Sequence, residues 1–200
     1  MTCYAIDGVI PVIDPAAYVH PTAVLIGDVV VGPGCYVGPG ASLRGDFGWI
    51  ELHAGSNVQD NCVAHSFPNC AVIVEENGHI GHGAILHGCR VGRDALIGMH
   101  AVIMDDADIG PESIVAACAF VPAGSRFEPR SLIVGTPARV LRKINDDDLA
   151  RKQEGTAAYH ELTRRSLASL VEVAPHTAVA ADRKRLRLPE LRKLTKSQER

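Results

Sequence analysis

The stretch Val91–Phe127 reads VGRDALIGMH AVIMDDADIG PESIVAACAF VPAGSRF, and its pattern decides the fold. Every sixth residue is large and apolar: Val91, Ile97, Ile103, Ile109, Val115, Val121 and Phe127. Four places after each of the first six comes a small one: Ala95, Ala101, Ala107, Ser113, Ala119 and Ser125. A period of six is neither the two-residue alternation of a half-buried strand nor the 3.6-residue period of an amphipathic helix. It fits a triangular coil in which each side takes one hexapeptide. The large residue fills the prism, the small one sits where the backbone turns, and three sides close a coil.

The same rule runs upstream through Ile13, Val19, Leu25, Val31, Val37 and Leu43, with Ala17, Ala23, Val29, Cys35 and Ala41 as the smaller partners. The reading is therefore all-β, a left-handed parallel β-helix of hexapeptide repeats over residues 1–140. Composition agrees, since aromatics are 4% while glycine numbers 19, so something narrow and repetitive must replace large rings in the core. After the repeat, Asn145 reads as an N-cap followed by three acids, which predicts a helix over 146–173 stopped by Pro175. Leu149, Leu162, Leu167 and Leu170 are its expected packing face. The helix domain spans 141–175, and residues 176–200 form a basic tail around Arg183-Lys184-Arg185.

A net charge of -3 and a pI of about 6.3 give no positive field, so neither nucleic acid nor membrane is an expected partner. The first residues lack the basic start and apolar run of a signal peptide, which points to the cytoplasm. Six cysteines without Cys-x-x-Cys spacing suit reduced, buried thiols.

The hexad register fails between Leu43 and Ile80, and again after Leu86, where Val91 follows five residues later. Inside and beside these breaks lie Arg44-Gly45-Asp46, Asn57-Val58-Gln59-Asp60, His65, and His82-Gly83-Ala84-Ile85-Leu86-His87. Breaks in a strict repeat invite a functional reading. His65, His82 and His87 can supply three imidazoles to a tetrahedral ion with one position open to water, or they can be surface or hydrogen-bonded histidines. Five residues separate His82 from His87, so they straddle a corner and diverge. One kind of ion can use both only between neighbouring prisms, with His65 and His87 from one subunit and His82 from the next. That predicts a homotrimer with interfacial metal.

At these residues the chain resembles the γ-class carbonic anhydrase superfamily, matching Arg44-x-Asp46, Asn57-x-Gln59-Asp60, His65 and His82-x4-His87. Ser42–Gly48, Gly78–Cys89 and Lys152-Gln153-x-Gly155-Thr156-x-x-Tyr159 are similar to its PaaY/CaiE branch, named from phenylacetate and carnitine operons, and phenylacetate is the preferred subgroup. The resemblance implies that His65, His82 and His87 hold zinc, with iron or cobalt as alternatives. It implies that Gln59 orients a metal-bound water or a substrate oxygen, that Arg44, Asp46 and Asp60 form interfacial ion pairs, and that Asn57 supports them. Two departures stand out: Phe47 replaces a glutamate, and residues 66–78 barely supply an acidic loop. Both features serve proton export, for which Glu75 or Glu76 is a substitute, and Tyr159 is placed near the site. The expected function is metal-dependent hydrolysis of acyl-CoA thioesters by a metal-bound hydroxide. The alternatives are CO2 hydration, hexapeptide acyl transfer suggested by Val134-Gly135-Thr136-Pro137-Ala138-Arg139, and a non-enzymatic trimeric subunit.

Overall fold

A computed structural model of the chain describes residues 2–188 and 190. It is a left-handed parallel β-solenoid of about seven turns with one C-terminal helix. Three flat faces run along the prism. The first carries Val24–Leu25, Ser42–Leu43, Val63–His65, Ile85–His87, Val102–Ile103 and Phe120–Val121 in parallel register. The second carries Val12–Ile13, Val30–Val31, Glu51–Leu52, Ile73–Val74, Arg90–Val91, Asp108–Ile109 and Arg126–Phe127. The third carries Tyr18–Val19, Tyr36–Val37, Asn57–Val58, His79–Ile80, Leu96–Ile97, Ile114–Val115 and Leu132–Ile133. In each pair the second residue points inward, and the hexad residues from Leu25 to Val121 form one buried aliphatic column with alanines and cysteines at the corners.

The breaks in the repeat all fall at one corner. From first face to second, Leu25 to Val31 and Ile103 to Ile109 are ordinary hexads. Leu43 to Leu52 takes nine residues, Ala64 to Val74 takes ten, and Leu86 to Val91 takes five. Elsewhere the hexad holds, as Leu52, Val58 and Ala64 show, so the failure expected over the whole of 43–80 is narrower than the sequence suggested. Ala64 hid the register because it stands where a large aliphatic was expected. Two of the longer excursions meet tightly: a Cβ on Gly48 would lie 1.9 Å from Cys70 O, so only glycine fits there.

The solenoid closes with an antiparallel hairpin, Ser131–Gly135 with Ala138–Lys143, running three residues beyond the expected boundary at 140. Helix α1 (Asp146–Ser169) then runs back along the third face. Asn145 caps it as expected: its side chain accepts from Asp148 N at 2.8 Å, and the Asp148 carboxylate accepts from Asn145 N. The helix stops at Ser169 rather than near 173, because Val171 and Val173 are β-branched and exposed, with nothing to pack on.

Its buried face is only in part the expected one, since Leu149 and Leu162 are half-buried. Leu167 and Leu170 are exposed, while Asp148, Lys152, Thr156, Thr163 and Ser166 are buried. The solenoid offers corner carbonyls to this helix, so donors suit the contact better than leucines: Lys152 Nζ donates to Asn77 O at 2.7 Å and His160 Nε2 to Gly55 O at 2.9 Å. Of the cysteines, all free, Cys35, Cys62 and Cys89 are buried as expected, Cys70 is half-buried, and Cys3 and Cys118 are exposed, against the expectation. Residues 176–188 of the expected tail are exposed and outside any helix or strand, and its end, 191–200, lies outside the described residues. No helix among the described residues is long and apolar enough to cross a membrane.

Candidate metal and substrate site

Three histidines each give one ring nitrogen to an aspartate. His65 Nε2 lies 3.0 Å from Asp46 Oδ1, His87 Nδ1 lies 2.6 Å from Asp105 Oδ1, and His82 Nδ1 lies 2.6 Å from Asp60 Oδ2. A carboxylate only accepts, so each of these nitrogens donates, and the opposite nitrogen is left with its lone pair. Metal-binding histidines are oriented in this way. Asp105 was not among the residues singled out in the sequence, although it stands one coil beyond His87.

His65 and His87 stand side by side on the first face at the irregular corner, where they are register partners. His65 Nδ1 and His87 Nε2, the two nitrogens left with lone pairs, face each other at 3.3 Å. Two lone pairs at that distance repel unless a proton or cation lies between them. Two nitrogens at ~2.0–2.1 Å from a tetrahedral ion are held ~3.3 Å apart, so the donor set fits a divalent metal. His82 is at the opposite edge of the first face, half-exposed. The first face thus separates His82 from the pair, and among the described residues of one chain no group of three or more His, Cys, Asp or Glu could hold a metal ion.

Asp46 also takes Arg44 Nη1 at 3.2 Å, so Arg44, Asp46 and His65 form a chain within one subunit. Asp60 is likewise engaged by His82 of its own chain. Where the proton-relay acids were missing from the sequence, two exposed phenyl rings flank the pair: Phe47 lies 5.4 Å from His65 and Phe67 lies 5.1 Å from His87. The two expected substitutes are engaged by other side chains. Glu75 is bound by Arg90 and by the backbone N–H of Arg93, and Glu76 approaches His53 on the second face.

A second cluster sits on the third face, beside His82. Gln59 and Asn57 are buried, and Gln59 Nε2 donates to Asn57 Oδ1 at 3.0 Å and lies 2.6 Å from His79 Nε2. His79, which had no role in the sequence reading, has Tyr159 of α1 edge-on at 5.2 Å, and Tyr159 also meets Tyr36 edge-on at 5.4 Å. Burial, then the charge of Lys152, lowers the pKa of His79 to about 3, so the ring is neutral. Burial also raises the Tyr159 phenol well above its usual value, with the charge of Asp60 adding to it, so its hydroxyl keeps its hydrogen. The signal for His79 was available only in register, because it lies directly over Asn57.

A cleft of about 910 Å³ opens from this cluster along the prism between α1 and the third face. Gln59, His79, His82 and Tyr159 line one end, the outward side chains of Leu96, Ile114 and Leu132 its floor, and Arg142 and Arg151 the other end. Both arginines are bound to Asp148, at 2.6 and 2.7 Å. The structure thus brings Asn57, Gln59, Asp60, His82 and Tyr159 together at one edge and Arg44, Asp46, His65 and His87 at another.

Comparisons with known proteins agree with this architecture. Residues 88–123 match the bacterial transferase hexapeptide model of six repeats. The chain is 58% identical over 187 residues to the carnitine operon protein CaiE of Salmonella agona, covering 94% of each, and 56% identical over 186 residues to CaiE of Escherichia coli K12, covering 93% of this chain and 95% of the relative. Among solved structures, a putative acetyltransferase of Bacillus cereus superposes with a TM-score of 0.82 at 30% identity, over 84% of this chain and 97% of that one. A hexapeptide transferase family protein from Anaplasma phagocytophilum gives 0.79 at 32%, over 82% and 96%. The two CaiE relatives carry the carnitine-operon name, so the likeness favours that subgroup over the phenylacetate one preferred from the motifs.

Proposed function

Since the chain belongs to the CaiE family of hexapeptide-repeat proteins, we propose that it acts as a homotrimeric, metal-dependent hydrolase of acyl thioesters, with acyl-CoA as the substrate class. The observation that carries this reading is the facing pair of carboxylate-backed imidazoles, His65 Nδ1 and His87 Nε2, at 3.3 Å. His82 of a neighbouring subunit is the third ligand. Zinc, iron or cobalt held by these histidines would supply Lewis acidity toward water and a thioester carbonyl.

The chain's own residues do the rest. Asp46, Asp60 and Asp105 fix the ring orientations, Gln59 meets the reacting atoms at the end of the cleft, and Tyr159 offers a hydroxyl that stays protonated. The outward column Val63, Ile85, Val102 and Phe120 on the first face, with Phe47 and Phe67 at its edge, supplies the apolar surface for a second copy. On the second face the corresponding positions are Ile73, Arg90, Asp108 and Arg126, three of the four charged, which suits water better.

The size of the cleft favours a thioester over CO2, since about 910 Å³ is the room of a cofactor-sized ligand and a triatomic gas needs little of it. Phenyl rings in place of proton-relay acids point the same way. The likeness to a protein named putative acetyltransferase and to one of the hexapeptide transferase family supports a second reading, transfer of the acyl group to an acceptor. The deciding experiment supplies the purified chain with zinc, iron(II) or cobalt(II) and follows thiol release from a panel of aryl and short-chain acyl-CoA thioesters. CO2 hydration and transfer to amine acceptors are assayed in parallel. Thiol release without acceptor, abolished by chelation, is the expected result. Release only with an acceptor moves the assignment to transferase, and CO2 hydration alone moves it to carbonic anhydrase.

A further inference from the structure

Helix α1 turns one stripe of side chains toward the cleft, at the three- and four-residue spacing that puts positions on one helical face: Asp148, Arg151 and Tyr159 line it. Gly155 falls on the same stripe, four residues from Arg151 and four from Tyr159. Inside a helix only proline is less favourable than glycine, so its place here needs a reason. Packing supplies none. Among the described residues, and beyond the helix's own backbone, a Cβ at Gly155 would meet His79 Cε1 alone, at 3.9 Å, which is an ordinary contact. An alanine would therefore fit, and the bare backbone leaves a notch beside a ring that itself lines the cleft.

The notch lies between the reacting end and the floor. On the third face His79 is one coil beyond Asn57, and Leu96, Ile114 and Leu132 follow at successive coils. From His79 to Leu132 is three strand spacings, ~14 Å. The floor is aliphatic, and its backbone is hydrogen-bonded to the strands on both sides. The pantetheine arm of coenzyme A carries amides and a hydroxyl, which are costly to strip of water where no partner receives them. A hydrocarbon chain has no such groups and gains by burial. The charged side chains Arg142, Arg151 and Asp148 stand at the far end and are already joined to one another.

We propose that the cleft is the groove for an extended, unbranched acyl chain of medium length, and that Gly155 is the specificity-determining residue that admits it. The thioester carbonyl stays by Gln59, the chain runs past His79 through the notch onto Leu96, Ile114 and Leu132, and coenzyme A lies on the other side of the carbonyl. The stretch Lys152-Gln153-x-Gly155-Thr156-x-x-Tyr159 then divides its work. Lys152 and Thr156 are buried against the solenoid, while Gly155 and Tyr159 shape the cleft.

This inference takes its substrate class from the hydrolase reading, and the test reads binding so that the two can fail separately. The zinc-supplemented full chain is titrated calorimetrically with S-ethyl-, S-butyl- and S-octyl-coenzyme A, thioethers that a thioesterase does not cleave. For the wild type, Kd should fall about threefold for each methylene buried. Gly155→Leu fills the notch with a good helix former; it should bind S-ethyl-coenzyme A as the wild type does and lose the gain from the longer chains. Gly155→Ala should raise Tm and lose a smaller part of that gain, which keeps the test decisive if the leucine variant does not fold.

Equal affinity for the three thioethers in the wild type, or no binding of any, overturns the proposal. So does a leucine variant that keeps the whole gain, or one that weakens all three equally, as a pantetheine arm in the cleft would require. An alanine variant less stable than the wild type would show that packing fixes the glycine, and it overturns the role of the notch. If S-octyl-coenzyme A binds as expected while no acyl thioester is hydrolysed, the hydrolase reading fails and the groove stands.

Discussion

The coils beyond Arg90 and the coils between Ser42 and Cys89 are built on the same prism, with the same aliphatic column inside, yet nearly all the chemistry-bearing side chains belong to the second set. In the later coils each hexad follows the last without exception, and every outward residue at the first-to-second corner is an ordinary turn residue except Asp105. In the central coils that corner gains three residues, then four, then loses one, measured against the hexad. The added backbone carries Asp46, Phe47 and Phe67 out beside the His65–His87 pair. Strict repetition supplies a rigid platform, and changes of loop length at a single corner place polar groups on it.

The sharpest way to break this comparison is to remove one ligand from the irregular corner. His87→Ala deletes a half-buried outward side chain and leaves the hexad column intact, so the variant should fold and assemble its secondary structure normally. Bound metal and thiol release should both fall below detection, checked by elemental analysis and a continuous thiol assay on the same sample. Full turnover in metal-free protein would sink the metal-dependent reading. The complementary change lies in a regular coil: Ile103 is fully buried, and Ile103→Ala should cost about 2–5 kcal/mol in urea unfolding. Turnover per folded molecule should stay near wild type, which would separate platform from site.

A smaller effect concerns the seam between α1 and the solenoid. Lys152 is buried, and burial lowers its pKa to about 8 from 10.5, only partly offset by Asp94 at 3.4 Å. The unfolded chain therefore holds this proton more tightly than the folded one. The cost is full below about pH 8 and fades as pH rises towards 10.5, so this lysine alone makes the protein more stable with rising pH, by up to about 3 kcal/mol. Cys62 and Cys89, raised by burial to about 11 and about 12, work oppositely above pH 9. The measurement is thus a difference: Tm against pH for wild type minus Lys152→Met should rise between pH 8 and 10.5, and a flat difference would show that Lys152 is not desolvated in solution.

The hexad made the solenoid legible because each large residue has one inward position and no alternative. Asn145 and the acids after it likewise gave the helix start. The packing face of α1 was not legible, because the rule of apolar against apolar fails where a helix docks on backbone carbonyls, and Lys152 and His160 answer those instead of Leu167 and Leu170. In the site, His65, His82 and His87 were visible as polar residues in the broken part of the repeat. His79 and Asp105 were not, since finding them requires knowing which coil lies over which, and the irregular corner changes the coil length from eighteen residues to twenty-one, twenty-two and seventeen.

The smallest predicted effect tests whether α1 belongs to the platform or to the site. Asn145→Ala removes the side chain that accepts from Asp148 N and should cost about 1 kcal/mol, as loss of an N-cap does. The cap lies at the far end of the cleft from Gln59 and His79. If α1 only covers the third face, stability falls by that amount and kcat stays constant at temperatures where the chain is folded. If its docking also holds Tyr159 against His79 at the end of the cleft, loosening the first turn should lower kcat while far-ultraviolet circular dichroism still reports a folded chain, and restoring the cap with Asn145→Asp should recover both. The second outcome would tie the clearest helix signal in the sequence to the cluster of Gln59 and His79 on the third face, where the hexad is unbroken.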